Sequence, residues 1–162
     1  MKLHSMSTLL QWGESSAILG AIKAATDRSD EALLWQQKTP PYCEALLSVL
    51  IPLREQKLLF DPEGNPAPVL TMELFLRWCD LMSVKTLAFT LAKSNTAKKL
   101  MRTKYDAHAC AAYVPIDLEV LGTYLSMHTV NLSDESIDFP ISNYNLHIGI
   151  TTLITNIFNG NQ

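Results

Sequence analysis

Apolar residues recur at three- and four-residue spacings over most of the chain, which is the pattern of amphipathic α-helices. The first such segment covers residues 8–25 and includes Trp12 in its apolar stripe. Ser5 and Ser7 lie at the start of this part of the chain, and either hydroxyl can cap a helix. The pattern therefore predicts one amphipathic helix over residues 8–25.

Prolines interrupt the next part of the chain. The Ser-Asp pair at 29–30 can cap a second helix, which is predicted to end at the Thr-Pro-Pro break of residues 39–41. Because Thr39 is a good N-cap and proline suits the first helical turn, a third helix is predicted over 41–53. Proline lacks an amide donor, so Pro52 is predicted to kink this helix.

A loop and several helices follow in the middle of the chain. Residues 61–70 contain three prolines and a glycine, which predicts a loop. Thr71 is predicted to cap the next helix, and Ser83 a short helix that ends at Ser94-Asn95. Two further helices are predicted, one over 97–112 and one over 116–127 after Pro115. An acidic connector follows at 133–138.

The C-terminal segment 141–158 fits two patterns. Its β-branched residues favour a strand, whereas the spacing of Leu146, Ile150, Leu153 and Ile157 favours a helix, and we predict the helix. The sequence as a whole predicts an all-α, single-domain orthogonal array of about seven or eight helices over residues 1–162. Its core is predicted to include Trp12, Trp35, Leu46, Leu50, Leu74, Trp78, Leu87, Leu121 and Leu125.

Composition limits the class of protein. With 162 residues, 48% of them apolar, the chain is long enough for one core and short for two domains. Its mean hydropathy of +0.08 fits either a well-buried core or an apolar surface that meets a partner. No apolar run approaches the roughly 20 residues of a membrane span. The three cysteines contain no CxxC pair, which is typical of a reducing compartment, so a cytoplasmic location is predicted.

The motifs of common catalytic and cofactor sites do not occur in the sequence. The six glycines are scattered, and neither a phosphate-binding loop nor a dinucleotide fingerprint is present. The pair nearest to a metal site is His108 with Cys110, but residues two apart on a helix point in different directions. We therefore predict a chain without catalytic activity, cofactor or metal.

Basic residues are concentrated in one stretch that begins near Lys85. No Lys or Arg follows this stretch, whereas acidic residues continue, so the chain is electrically polar although its net charge is -3. Such a basic region attracts phosphate or an acidic protein surface, and the alternative is an ordinary solvated helix face. Aromatic residues are not interleaved with it as a single-strand binding platform requires, so any DNA contact is predicted to be weak. The candidate partner-binding residues are Lys93, Lys98, Lys99, Arg102 and Lys104.

Three segments resemble a known family when they are taken in order. They are Trp35 followed by YCEALLSVLIPLRE at 42–55, then LFLRWCDL at 74–81, and FPISNYNLHIGI at 139–150 continuing to Phe158. Their order resembles the all-α domain that is inserted in the motor of type IV secretion coupling proteins of the TraD, TraG and DotL kind. The Leu-rich helix of that family ends in Leu-Arg-Asp or similar, whereas this chain has Arg54-Glu55.

This resemblance implies a function and partners. In such coupling proteins the helical domain covers the cytoplasmic face of a hexameric, inner-membrane ATPase and helps to select a relaxase, an effector or a relaxosome component. The family's Walker motifs do not occur here, so the resemblance implies an excised or separately encoded domain without ATPase activity. Two alternatives are a stand-alone cytosolic adaptor or chaperone with apolar helix grooves, and a regulatory DNA-binding helical domain.

Overall fold

The computed structural model describes residues 5–30, 32–104, 114–128, 130 and 140–160, with side chains described up to Asn95 in the helix that ends at Lys104. This part of the chain contains seven α-helices and no strand, which confirms the all-α prediction. In chain order they are α1 (Met6–Trp12), α2 (Ser15–Asp27), α3 (Leu33–Glu55), α4 (Met72–Trp78), α5 (Leu81–Lys104), α6 (Glu119–Met127) and α7 (Ile141–Gly160).

Helix α3 lies at the centre of the structure and packs against α2, α6 and α7. The predicted break at residues 39–41 is wrong, because α3 continues through all three of its prolines. Thr39 is inside the helix, where its hydroxyl donates to the Trp35 carbonyl over 2.7 Å instead of capping a new helix. A proline inside a helix costs about 3 kcal/mol, whereas burying one leucine-sized side chain contributes about 1.5–3 kcal/mol. Burial of the run of apolar residues from Tyr42 to Leu53 outweighs the missing donors.

Two other predicted boundaries are also wrong. The helix predicted over 8–25 is divided at Gly13, and the end predicted at Ser94-Asn95 lies inside α5. The Asn95 side-chain amide donates to the Ile116 carbonyl over 2.7 Å and accepts from the Ile116 amide over 3.0 Å, so it is engaged with another segment and does not end the helix. Asp80, and not Ser83, accepts the amide hydrogen bond at the start of α5.

Several local predictions are confirmed. Thr71 accepts a hydrogen bond from the Leu74 amide and caps α4, residues 61–70 form a loop, and the C-terminal segment is a helix. The predicted segment 116–127 is helical only from Glu119. Residues 105–112 of another predicted helix and the acidic connector at 133–138 lie outside the described residues.

The buried apolar side chains form one cluster, and each of the seven helices contributes to it. Most of the predicted core residues are buried there: Leu46, Leu50, Leu74, Trp78, Leu87, Leu121 and Leu125. Trp35 is half-buried and Trp12 is exposed, which corrects the prediction for these two. Within the described ranges, no helix has the length and apolar character that crossing a bilayer requires.

Candidate docking cleft

Arg54, on the last turn of α3, fixes the position of the short helix α1. Its Nη1 donates to the Leu10 carbonyl over 2.7 Å, and its Nη2 donates to the Gly13 carbonyl over the same distance. Carbonyls at the end of a helix have no partner within the helix, and the planar guanidinium supplies donors to both. The C-terminal end of α1 is therefore held against the C-terminal end of α3.

Gly13 ends α1 and leaves Trp12 exposed. The Gly13 amide donates to the Leu9 carbonyl over 2.6 Å, and a Cβ at Gly13 would lie 2.7 Å from that same oxygen, so only glycine fits. Met6 and Leu10 are four residues apart and face the core, whereas Trp12 lies about 200° around the helix from Leu10. Trp12 is therefore 76% exposed, which explains why its predicted place in the core is wrong.

The segment from Leu59 to Val69 forms the wall opposite Trp12. It turns back on itself, and the Ala67 amide donates to the Leu59 carbonyl over 2.9 Å. The Asp61 carboxylate accepts from the amides of Asn65 and Glu63, and the hydrogen bond from Asn65 is the largest cause that lowers the pKa of Asp61 below its ordinary value.

Helix α4 holds this loop in place. The Trp78 indole donates from Nε1 to the Phe60 carbonyl over 3.0 Å, and the two aromatic rings meet edge to face with centroids 5.6 Å apart. Arg77 pairs with the carboxylates of Asp61 and Glu63. The loop is thus connected to α4 at its base and at its tip.

Helix α3 ends in a Schellman motif beside the same wall. The Leu58 amide donates to the Leu53 carbonyl over 2.9 Å, and the Lys57 amide donates to the Arg54 carbonyl over 3.0 Å. Lys57 takes the left-handed position of the motif with φ of 60°, where glycine is usual, and among the described residues it is the one non-glycine residue with a positive φ.

These elements enclose an open cleft of about 670 Å³, within the size range of natural ligand pockets. One side is apolar and rigid, and the rim carries charge. Arg54 and Glu55 form an ion pair over 2.6 Å. Within the described ranges no carboxylate lies within 4.0 Å of the Lys57 ammonium. The lining residues are Gln11, Trp12, Arg54, Glu55, Lys57, Leu59, Pro66, Ala67, Pro68 and Val69.

A second group of polar side chains lies buried between α3, α6 and α7. Tyr124 and His147 Nε2 are 2.8 Å apart, and His147 Nδ1 is 2.6 Å from the Asn143 carbonyl. Because a carbonyl only accepts, Nδ1 carries the proton and Nε2 accepts from the Tyr124 hydroxyl. The Tyr42 ring stacks on Tyr124 with centroids 5.4 Å apart, and its hydroxyl donates to the Cys79 carbonyl over 2.6 Å.

The electrostatics of this buried group fit a structural role. Burial lowers the pKa of His147 and favours the neutral ring. Burial also raises the pKa of the Cys43 thiol to about 12 and raises that of Cys79, so both are protonated at neutral pH and are poor nucleophiles. Among the residues that the structure describes, no three His, Cys, Asp or Glu side chains converge on a metal position.

The residues of the predicted basic surface all belong to α5, and none of the α5 side chains that the structure describes lines the cleft. Lys93 is exposed, and its Nζ lies 4.7 Å from the centroid of the Phe89 ring. The helix backbone carries Lys98, Lys99, Arg102 and Lys104, whose side chains lie outside the described residues, as do His108 and Cys110. Lys85 is only 1% exposed and therefore lies in the interior, not on this surface.

Sequence reasoning missed both residues that define the cleft. The helical pattern places Trp12 in the core only if one helix runs through Gly13, whereas Gly13-Glu14-Ser15-Ser16 is typical of the end of one helix and the start of another. No sequence pattern indicates Lys57, because a lysine in a left-handed position is recognised only from the backbone conformation.

Comparison with protein-family models, with curated proteins and with solved structures found no match for this chain.

Proposed function

We propose that this chain is a protein-recruitment domain that captures a segment of a partner protein in the cleft beside Trp12. The observation that carries the proposal is the exposed Trp12 indole on the rim of an apolar cleft. Tryptophan is enriched among the few residues that dominate the energy of protein interfaces. An exposed tryptophan forgoes the free energy of burying its apolar surface, and a bound partner that covers the indole provides that free energy.

The rigidity of the cleft also supports a binding function. Arg54 fixes the rim that carries Trp12, and α4 holds the opposite wall through Arg77 and Trp78. A binding site whose walls are already ordered loses little conformational entropy when it is filled. Affinity then depends on the contacts with the partner and not on folding of the site.

The sequence resemblance supports a finer proposal about the partner. By that resemblance the domain works without catalysis as the substrate-recruitment domain of a type IV secretion coupling protein, at the cytoplasmic face of the inner membrane. The captured protein is then a relaxase, an effector or another relaxosome component delivered to a hexameric motor. A weak DNA contact through Lys98 and Arg102 stays a separate prediction, because it uses α5 and not the cleft.

Selection from a random peptide library displayed on phage tests the recruitment proposal. The full chain, Trp12→Ser and Met127→Ser serve as baits, and each enriched peptide is measured against all three. Met127 is a matched control because it is 75% exposed and lies on α6, outside the cleft. We expect peptides that bind the parent chain and Met127→Ser equally and lose at least about tenfold in affinity on Trp12→Ser. Equal binding to all three baits, or no enrichment by the parent chain, contradicts the proposal.

A further inference from the structure

We infer that the segment captured by the cleft carries a carboxylate beside its apolar anchor, and that Lys57 recognises this carboxylate. The inference rests on the proposed recruitment function and names the chemistry of the partner. Three observations carry it: the backbone conformation of Lys57, the distribution of charge on the rim, and the apolar opposite wall.

The backbone of Lys57 points to a function for its side chain. In the left-handed region the Cβ of an ordinary residue approaches the neighbouring carbonyl oxygen, a cost that glycine does not have. The Schellman motif at the end of α3 needs only backbone amides, which glycine also supplies. A lysine here therefore gives up stability, and such a cost at the edge of a cleft is typical of a residue kept for binding.

Among the rim residues that the structure describes, Lys57 is the cation left for a ligand. The Arg54 guanidinium already donates to the carbonyls of Leu10 and Gly13 and pairs with Glu55. The Lys57 ammonium has no carboxylate within 4.0 Å in the described part of the chain, and its side chain is exposed. A partner carboxylate at this position restores charge balance and sets the register of the segment.

The opposite wall defines the other half of the ligand. Trp12 on the rim and Val69 in the wall opposite it present apolar surface, and two prolines give that wall a fixed shape. An apolar side chain enters this space, while its neighbouring carboxylate reaches the rim. A cleft of about 670 Å³ accommodates a few side chains of one segment. A short acidic segment of another protein is the occupant that fits both this volume and the charge of Lys57.

Binding affinities of the selected peptides test this inference through three variants of one residue. Lys57→Arg keeps the charge, Lys57→Met removes the charge and keeps the chain length, and Lys57→Gly removes both charge and backbone strain. We expect enrichment of Asp or Glu near the apolar anchor, and an affinity loss of about two- to fivefold on Lys57→Met that Lys57→Arg does not show. Replacing the peptide Glu by Gln is expected to cost the parent chain the same factor and Lys57→Met nothing further.

Thermal unfolding of the same variants separates recognition from a structural role at the helix end. If Lys57 serves binding, Lys57→Gly raises the melting temperature by about 2–6 °C. If it serves the helix dipole instead, Lys57→Gly lowers the melting temperature and the inference is overturned. Equal peptide affinity on Lys57→Met and the parent chain also overturns it, even where Trp12→Ser abolishes binding and the recruitment function stands. Dimerisation of the parent chain that Trp12→Ser abolishes would identify a second copy as the occupant and contradict the inference.

Discussion

The indole of Trp35 lies directly against the backbone of Gly149, so α3 and α7 approach each other where α7 has no side chain. A Cβ at Gly149 would lie 2.5 Å from the Trp35 ring, closer than real Cβ contacts allow. Trp35 is half-buried by this contact. The glycine therefore determines how closely the C-terminal helix packs on the central one.

Replacing this glycine by alanine is expected to destabilise the fold. Gly149→Ala forces the Trp35 ring or α7 to move, at a cost of about 1–3 kcal/mol, as is usual when a packed site is overfilled. Gly20→Ala is the matched control, because nothing lies within 4 Å of a Cβ at Gly20 in α2, and it is expected to gain about 0.5–1 kcal/mol. Urea unfolding measures both changes. A Gly149→Ala variant as stable as the parent chain would show that the Trp35 contact is not close.

Stability is expected to fall as the pH decreases below neutral, because of His147. Burial lowers the pKa of His147 in the folded state below its ordinary value of 6.5. The unfolded chain then binds a proton that the folded chain does not, so the stability is fully present above pH 6.5 and is lost as the pH falls through the folded pKa. Urea unfolding between about pH 8 and about pH 5 measures this dependence.

His147→Gln separates this titration from others. Its amide can replace part of the hydrogen bonding to Tyr124, and it does not titrate. We expect the variant to be less stable at neutral pH and to lose less stability on acidification than the parent chain. If both proteins lost stability equally on acidification, the pH dependence of stability would come from groups other than His147.

Arg54 is expected to stabilise α1, which is distant from it in the sequence. Arg54→Lys keeps the charge but loses the planar pair of donors that reaches both Leu10 and Gly13. Since a carbonyl left without a partner costs about 1–3 kcal/mol, we expect a loss of that size and faster hydrogen exchange in α1. Glu55→Gln is the control, because its carboxylate is exposed and an exposed pair contributes about 0–1 kcal/mol. Unchanged exchange in α1 would contradict the role given to Arg54.

The fold class was predictable because it depends on short-range pattern. The helix at 141–158, the cap at Thr71 and the loop at 61–70 all follow from spacings of a few residues. The continuity of α3 did not follow, because local rules for proline compete with burial on several neighbouring helices. The helix boundaries and the packed core are results of tertiary structure as much as of local sequence.

The candidate cleft was not predictable in the same way. Its rim depends on hydrogen bonds from Arg54 to carbonyls 41 and 44 residues away along the chain, and no local pattern encodes such a pairing. Charge patterning indicates the stretch from Lys93 to Lys104 as a binding surface, and this stretch belongs to α5, none of whose described side chains lines the cleft. The resemblance to coupling proteins rests on sequence order alone and stays a proposal about the partner.

Indole resonances in a titration test the central claim, that the cleft beside Trp12 is a docking site. The chain has three tryptophans, and ¹⁵N labelling gives each indole its own signal. On addition of a peptide selected by the parent chain, we predict a saturable shift of the Trp12 signal and little change at Trp35, which lies against α7. Saturable binding that moves the Trp35 signal and leaves the Trp12 signal in place would contradict the claim.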